Sequence, residues 1–268
     1  KRTVSPVMKW GENGVLTIPK ATPIGRLNVY AGMFGQQAGV LNGLNLFLTS
    51  ATVMAGTSED VELGYTRRQL IWEDFYFTDM SMDTIHLKTR VLDFGKDVMP
   101  SVSVGMNGVS LVDNSFENQS NILFNPYLVA TSYIELIPGM LELDITAVAE
   151  TILSEGEFGL PQFSLGADVN LFDMIYVFGE VQGVQVDLEN FDLSKSTNEM
   201  INIGARVKYE GFSVGLGMFN IIRDTSDDEE GDIIDNISDS TFDLSSAKFM
   251  ATVVYELPLT RFLPSENE

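Results

Sequence analysis

The chain has 268 residues, no cysteine, 38 acidic and 16 basic residues, and a formal net charge of −22 at pH 7. The lack of cysteine excludes a disulfide scaffold and a cysteine-based zinc site, and the negative charge argues against a nucleic-acid partner, which needs a basic surface. The hydrophobic content of 44% is too high for a chain that is disordered throughout.

The amino-terminal part of the chain lies before the first predicted strand. Residues 1–10 contain no apolar run of signal-peptide length, which favours a mature chain. The longest uncharged stretch, residues 27–58, contains five Gly, three Asn and two Gln and is therefore a poor membrane-spanning helix. We expect residues 1–25 to form an amino-terminal segment outside the strands.

From residue 26 to residue 257, apolar and polar residues alternate with a period of two, which predicts strands. Residues 85–91 and 141–150 are clear cases. Several predicted strands span about ten residues, whereas strands of globular proteins cluster near five or six. A tilted strand needs roughly 9 to 11 residues to cross a bilayer, so the lengths favour a membrane protein. About twelve strands are predicted, beginning near residues 26, 44, 60, 84, 100, 127, 140, 162, 174, 199, 212 and 246.

The predicted connections alternate between long and short along the chain. In outer-membrane barrels, tight turns lie at the periplasmic rim and long loops face outside, whereas a soluble meander has no reason to sort its loops in this way. The long connections are residues 35–43, 70–83, 112–126, 153–161, 189–199 and 223–245, and the short ones are residues 56–59, 95–98, 138–139, 173 and 210–211.

Strand number, strand length and loop sorting together predict an all-β fold. We expect an up-and-down antiparallel transmembrane β-barrel of about twelve strands, with short periplasmic turns and long extracellular loops, in the lipid of a bacterial outer membrane. The barrel is predicted to span residues 26–257. Residues 1–25 are predicted to form a periplasmic amino-terminal segment, and residues 258–268 a periplasmic tail. The alternative is a soluble β-sandwich adhesin, in which the apolar faces would pack against each other.

If the apolar side chains face lipid, the alternate polar side chains line the lumen. Basic residues cluster on the third and fourth strands, with others on the tenth and twelfth, while acidic residues come mainly from the seventh to ninth. The interior is therefore predicted to have walls of opposite charge. The candidate lumen-lining residues are the basic Arg68, His86, Lys88, Arg90, Arg206, Lys208 and Lys248 and the acidic Glu142, Asp144, Glu150, Asp168 and Glu180.

These charged walls leave two functions open. Walls of opposite charge suit a narrow channel for polar or charged solutes. A twelve-strand lumen is also narrow enough for ion-paired side chains to close it. The second function is therefore a non-conducting structural barrel, which docks a larger envelope or secretion-complex assembly through its loops or its tail.

The sequence does not predict an enzyme. His86 is the only histidine, so any Ser–His or metal–His chemistry would have to use it, and the alternation places it inside the barrel. The same-face carboxylates Glu142 and Asp144 are explained more simply as lumen lining than as an acid and base pair. No metal site and no cofactor are predicted.

Residues 224–243 form an acidic run with nine carboxylates in the longest predicted loop. Their spacing lacks the alternating ligands and terminal Glu of an EF-hand loop, so we expect a solvated surface loop. It is a candidate for binding divalent cations that bridge it to anionic lipid or sugar.

Two passages in the first 110 residues carry a family resemblance. The first is residues 14–21, GVLTIPKA, with a glycine, branched aliphatic residues, a proline and an alanine. The second is residues 83–106, in which a strand with Lys88 and Arg90 is followed by one that begins at Pro100 and ends in valine and glycine. Both resemble the YjbH-like outer-membrane barrels associated with exopolysaccharide and capsule secretion. The resemblance implies an outer-membrane barrel near polysaccharide export and no catalytic residues.

Overall fold

Twelve long antiparallel strands form the part of the chain that the computed structural model describes, namely residues 14–15, 17–41, 44–72, 77–94, 99–113, 119–154, 156–185, 200–219, 222–223, 241–242 and 248–259. Two small hairpins of two-residue strands, Leu153–Ser154 with Glu157–Phe158 and Ile222–Arg223 with Thr241–Phe242, accompany them. The long strands are β1 (Asn28–Leu41), β2 (Leu44–Gly56), β3 (Val61–Trp72), β4 (Phe77–Leu92), β5 (Ser101–Asp113), β6 (Gln119–Ile137), β7 (Leu141–Glu150), β8 (Gln162–Leu171), β9 (Ile175–Gln185), β10 (Met200–Tyr209), β11 (Phe212–Phe219) and β12 (Lys248–Pro258).

The sheet closes on itself. Each strand pairs with the next along the chain, and β12 pairs with β1 from Asn28 opposite Pro258 to Gln36 opposite Met250. Closure satisfies the backbone groups that an open sheet would leave at its edges. The predicted up-and-down barrel is confirmed, and the β-sandwich alternative is wrong. Within the described ranges, no helix is long and apolar enough to span a bilayer.

The two faces of the wall differ as the alternation predicts. Along β8 and β12, buried and exposed residues alternate one by one. Outward side chains are apolar and exposed, among them Ile85, Leu165 and Leu216 at 60%, 60% and 65%. Most buried inward side chains are polar or charged. A water-soluble sandwich would show the reverse arrangement, because its apolar faces would be buried.

Strand starts agree with the predicted ones within two residues except at β4 and β6. These strands begin at Phe77 and Gln119, seven and eight residues earlier than predicted. The added residues do not alternate clearly, but backbone pairing to β5 holds them, as at Asp113 opposite both Met80 and Gln119. The predicted loop 35–43 is likewise wrong, because β1 continues to Leu41 and β2 starts at Leu44.

The short connections lie at one end of the barrel. The predicted turns at residues 138–139, 173 and 210–211 are confirmed, and residues 57–60 join β2 to β3. Phe172 and Asp173 both have positive φ, as a tight hairpin turn of the primed type requires. Residues 95–98, 189–199 and 260–268, with most of the acidic run 224–243, lie outside the described residues.

At the short-turn end, the chain before β1 turns into the barrel. Gly25 and Leu27 have positive φ, and the Leu27 amide donates to the Gly56 carbonyl over 3.0 Å. A Cβ on Gly56 would lie 1.7 Å from the Gly25 oxygen, so only glycine allows this close approach. Residues 14–15 and 17–24, hereafter the lumen segment, lie inside the barrel. The expectation that residues 1–25 stay on the periplasmic side does not hold for them.

Candidate functional site: the lumen and its inserted segment

The lumen segment makes polar contacts with inward side chains from seven strands, β3 and β5 to β10. Its apolar side chains pack in the interior, where Val15, Ile18 and Ala21 are at most 2% exposed. Their neighbours in this buried cluster include Val129, Val148 and Phe178 of the wall. A second buried apolar cluster joins Ile24 of the segment to Tyr30, Met54 and Val254 of the wall. The segment therefore covers both apolar clusters recorded for the described residues.

The segment is a tight turn, and the wall has a space shaped for it. The Val15 amide donates to the Ile18 carbonyl over 2.9 Å, and Gly14 forms a bridge with Pro19. Gly166 of β8 faces this turn, where an added Cβ would lie 2.6 Å from Cδ1 of Ile18. The missing side chain at Gly166 therefore makes room for the segment.

Wall side chains satisfy the backbone of the segment. The amide of Thr17 donates to Glu180 (3.0 Å to Oε2), and its hydroxyl donates to the same carboxylate. The Ala21 amide donates to Oγ1 of Thr131 over 2.9 Å, and the Ser103 hydroxyl donates to the Ala21 carbonyl. Buried backbone groups need such partners, so polar lumen residues make this irregular segment stable inside the barrel.

Two further wall residues bind the ends of the segment. The Ile24 amide donates to Oε2 of Glu62 over 3.0 Å, close to the short-turn end. At the other end, Nη2 of Arg206 donates to the Val15 carbonyl over 3.1 Å. The Arg206 guanidinium also lies 5.3 Å from the centre of the Phe178 ring, in cation–π range. The segment is therefore bound along its whole described length.

Lys20 gives the segment its one ion-paired contact with the acidic wall among the described residues. Its Nζ lies 2.7 Å from Oδ2 of Asp144 and 2.7 Å from Oδ2 of Asp168. Burial alone would lower the pKa of Lys20, but the carboxylates of Asp168 and Asp144 outweigh burial and raise this pKa above its usual value. The ammonium group therefore stays charged at neutral pH.

A second ionic group, the wall cluster, consists of Glu62, His86 and Lys88. Nζ of Lys88 lies 2.9 Å from Oε1 of Glu62, and both side chains are fully buried. Nε2 of His86 is 3.9 Å from the same oxygen. The imidazole lies against Gly64, where an added Cβ would be 1.9 Å from Cε1. The only histidine of the chain is therefore 0% exposed and is closed off from any substrate in this structure.

Other predicted basic residues lie at the rims or against the segment. Arg90 pairs with Asp60 and Asp93 at the short-turn rim, at 2.7 and 2.8 Å. Lys208 pairs with Glu256 over 3.2 Å. Lys248 is half-buried at the start of β12. These pairs neutralise charge locally, along the wall and its rim.

The remaining predicted residues also face inward. Arg68 is buried, and its guanidinium lies 5.8 Å from the centre of the Phe34 ring. Glu150 accepts a hydrogen bond of 3.1 Å from Asn125, and Glu142 accepts one of 3.0 Å from Asn170. The structure thus places the acidic residues on β7 to β9 and separates them from Lys88 and Arg90 on β4.

Sequence reasoning missed Lys20, Glu62 and Glu256. A signal was available for Glu62, because it shares the inward parity of Arg68 and the antiparallel register places it opposite Lys88. Glu256 follows the inward parity of β12 in the same way. Lys20 carried no such signal, because it lies in a segment without alternation.

Within the described ranges, no group of three or more His, Asp or Glu side chains could hold a metal ion.

Comparisons with known proteins bear on the fold. No protein-family model matches the sequence, and no curated protein matches it significantly. Among solved structures, a KdgM porin is similar with a TM-score of 0.51 and 10% identity, over 85% of this chain and 98% of that one. LpxR from Salmonella typhimurium gives a TM-score of 0.47 and 9% identity, over 85% of this chain and 99% of that one. The closed sheet, its exposed apolar outer face and the similarity in fold to the KdgM porin agree with one another. The chain is a twelve-strand β-barrel of the bacterial outer membrane.

Proposed function

We propose that the protein is a narrow outer-membrane channel for polar or charged solutes, and that the lumen segment closes it in this conformation. The observation that carries the proposal is the position of the segment. It lies among inward polar residues of seven strands, where a solute crossing the barrel would pass. A polar interior of this kind suits solutes that can exchange hydrogen bonds with its walls.

The way in which the segment is bound supports a removable closure. In the described part of the chain, it forms no backbone ladder with any barrel strand, and its only bridge is internal, between Gly14 and Pro19. Its polar contacts are hydrogen bonds and one ion-paired ammonium group, which water can replace. Its apolar contacts involve only a few side chains, chiefly Val15, Ile18 and Ala21. Withdrawal of the segment would therefore leave the closed wall intact.

A link to polysaccharide export is the finer part of the proposal. It rests on the resemblance of residues 14–21 and 83–106 to the YjbH-like family. The first of these passages is largely the lumen segment itself, so the resemblance falls on the element that would regulate passage. Swelling of proteoliposomes that contain the variant without residues 14–24, in neutral and charged oligosaccharides, tests this part. Exclusion of both by a variant that conducts small ions would contradict it.

Conductance of a variant without residues 14–24 tests the channel function. In planar bilayers we expect steady single-channel steps from the deletion variant and rare or no steps from the full chain. Far-ultraviolet circular dichroism and heat-modifiable electrophoretic mobility establish that both are folded. A folded deletion variant that stays silent would contradict the proposal and favour the structural barrel that docks an envelope assembly.

A further inference from the structure

One side of the barrel wall is acidic and contains no base. Residues 97–194 include no Lys, Arg or His, and they supply the five consecutive strands β5 to β9. Any cation that neutralises this wall must therefore come from another part of the molecule or from outside it. The buried or half-buried inward carboxylates described on these strands belong to Glu142, Asp144, Glu150, Asp168 and Glu180.

Two of these carboxylates lie side by side. Asp144 of β7 and Asp168 of β8 are directly opposite each other in the antiparallel register, and both face the lumen. Like charges in such a pair repel each other, and burial strengthens the repulsion. The side chains are only 13% and 6% exposed. While both groups are ionised and buried, the pair is therefore stabilised by a cation between them.

In this structure that cation is a primary ammonium group. Nζ of Lys20 lies within 2.7 to 2.9 Å of both carboxylates. A primary ammonium has three N–H donors on a compact charge, which suits two carboxylates at hydrogen-bonding distance. Arg206 of β10 interacts electrostatically with Asp168, but among the described residues it forms no ion pair with that carboxylate and donates to the Val15 carbonyl. The occupant thus belongs to the segment that the proposed function removes.

The wall cluster does not compensate for the loss of Lys20. Lys88 is fully buried against Glu62 on the adjacent strand, at 2.9 Å. Its charge is neutralised within β3 and β4, on another part of the wall from the acidic pair. Withdrawal of the segment therefore leaves a negatively charged lumen at Asp144 and Asp168.

We propose that Asp144 and Asp168 form a binding site for the primary ammonium group of a solute, with Lys20 as its internal occupant. This inference rests on the proposed function in so far as the solute reaches the site after the segment leaves. The site also makes the unplugged lumen selective for cations, because the paired carboxylates raise the local cation concentration.

Rescue of a Lys20→Ala variant by n-propylammonium tests the site in the full chain. The substitution removes three methylene groups and the ammonium group, and n-propylammonium has the same size as these removed atoms together. We expect Lys20→Ala to lower the thermal unfolding midpoint, and millimolar n-propylammonium chloride to restore at least half of that loss saturably. Tetramethylammonium chloride at the same concentration, which has no N–H donor, should restore none of it.

Two controls make the rescue specific. The wild-type midpoint should not respond, because Lys20 occupies the site, and Lys20→Ala/Asp168→Asn should not respond, because one carboxylate is lost. An equal response to tetramethylammonium, or an undiminished response in the Asp168→Asn background, would overturn the inference.

Selectivity of the variant without residues 14–24 provides a second measurement that does not depend on the folding of Lys20→Ala. The reversal potential in a KCl gradient should show at least a threefold preference for K⁺, and Asp144→Asn/Asp168→Asn should bring the ratio close to one. Millimolar n-propylammonium should block the current. If the conducting variant prefers Cl⁻, or if the substitutions do not change its ion selectivity, the binding site is contradicted but the channel function is not. A folded, silent variant contradicts the channel, and the rescue experiment still decides the site.

Discussion

The two buried ionic groups of the lumen, the wall cluster and the acidic pair with Lys20, contain similar charges but are assembled differently. In the wall cluster, Glu62 and Lys88 lie opposite each other on adjacent strands, so closing the sheet forms the ion pair. In the other group, adjacent strands bring together two like charges, Asp144 and Asp168. Only the lumen segment completes this second group.

The buried charges of the wall cluster are therefore neutralised permanently, whereas those of Asp144 and Asp168 are neutralised conditionally. The wall cluster keeps its balance for as long as the barrel is folded. The acidic pair keeps its balance only while Lys20 is inside the lumen. The charge of the interior is therefore coupled to the position of the segment, and substitutions in the two groups should have different consequences.

The largest effect is expected when the wall cluster is broken. Glu62→Gln or Lys88→Met alone leaves one buried charge without its partner, which should lower the free energy of unfolding by about 3–5 kcal/mol. The double variant should recover most of the loss, since no unpaired charge remains. Urea unfolding in lipid vesicles measures both. Losses that simply add in the double variant would show that the two charges do not depend on each other.

A smaller effect is expected from Lys20→Met. The substitution leaves Asp144 and Asp168 unneutralised, but the segment can leave the lumen and water can then solvate both carboxylates. The free energy of unfolding should fall by only about 1–2 kcal/mol, below the loss from a pair that cannot separate. Adding Asp168→Asn should reduce this loss. A decrease as large as that of Lys88→Met would mean that the segment is as permanent as the wall.

The smallest effect on barrel stability is expected from Gly166→Leu. This side chain would occupy the space of Ile18 and expel the segment. The free energy of unfolding should fall by about 1 kcal/mol, no more than in Lys20→Met, because the segment leaves in both variants while the wall stays closed. Limited trypsin digestion measures the position of the segment, because cleavage after Lys20 requires Lys20 to leave the lumen. Gly179→Leu is the control for a leucine elsewhere in the wall, since Gly179 lies on the outward face of β9 and the nearest atom to an added Cβ there is 3.8 Å away. If Lys20 stays protected from trypsin in Gly166→Leu, the space at Gly166 is not needed by the segment, which would contradict this account.

The sequence predicted the wall well because the wall obeys a periodic rule. Alternation with a period of two marked most strand starts and the inward parity of residues such as Arg68 and Glu180. It failed at the starts of β4 and β6, where backbone pairing extends the strands through residues without clear alternation. It also failed at residues 35–41, which continue β1.

The lumen segment could not be predicted in the same way. Lys20 meets Asp144 and Asp168 across 124 and 148 residues of sequence, and no periodicity relates them. The conformation of the segment depends on individual contacts, such as the space at Gly166 and the acceptor at Thr131. The absence of bases from residues 97–194 indicates only that a cation must come from elsewhere.

The most direct test of the account is the conductance of one barrel with its segment first locked and then released. The chain has no cysteine, and the Ala21 amide nitrogen lies 2.9 Å from Oγ1 of Thr131. An Ala21→Cys/Thr131→Cys pair therefore places one cysteine of the segment beside one of the wall, and a disulfide between them would lock the segment in place. The pair is placed in a Lys20→Ala background, in which the segment is held less tightly than in the natural chain. We predict a silent oxidised barrel that opens in discrete steps after reduction, while both single-cysteine variants in the same background conduct equally with and without the reductant. Equal conductance before and after reduction, with the disulfide verified by mass spectrometry, would show that the segment does not control passage.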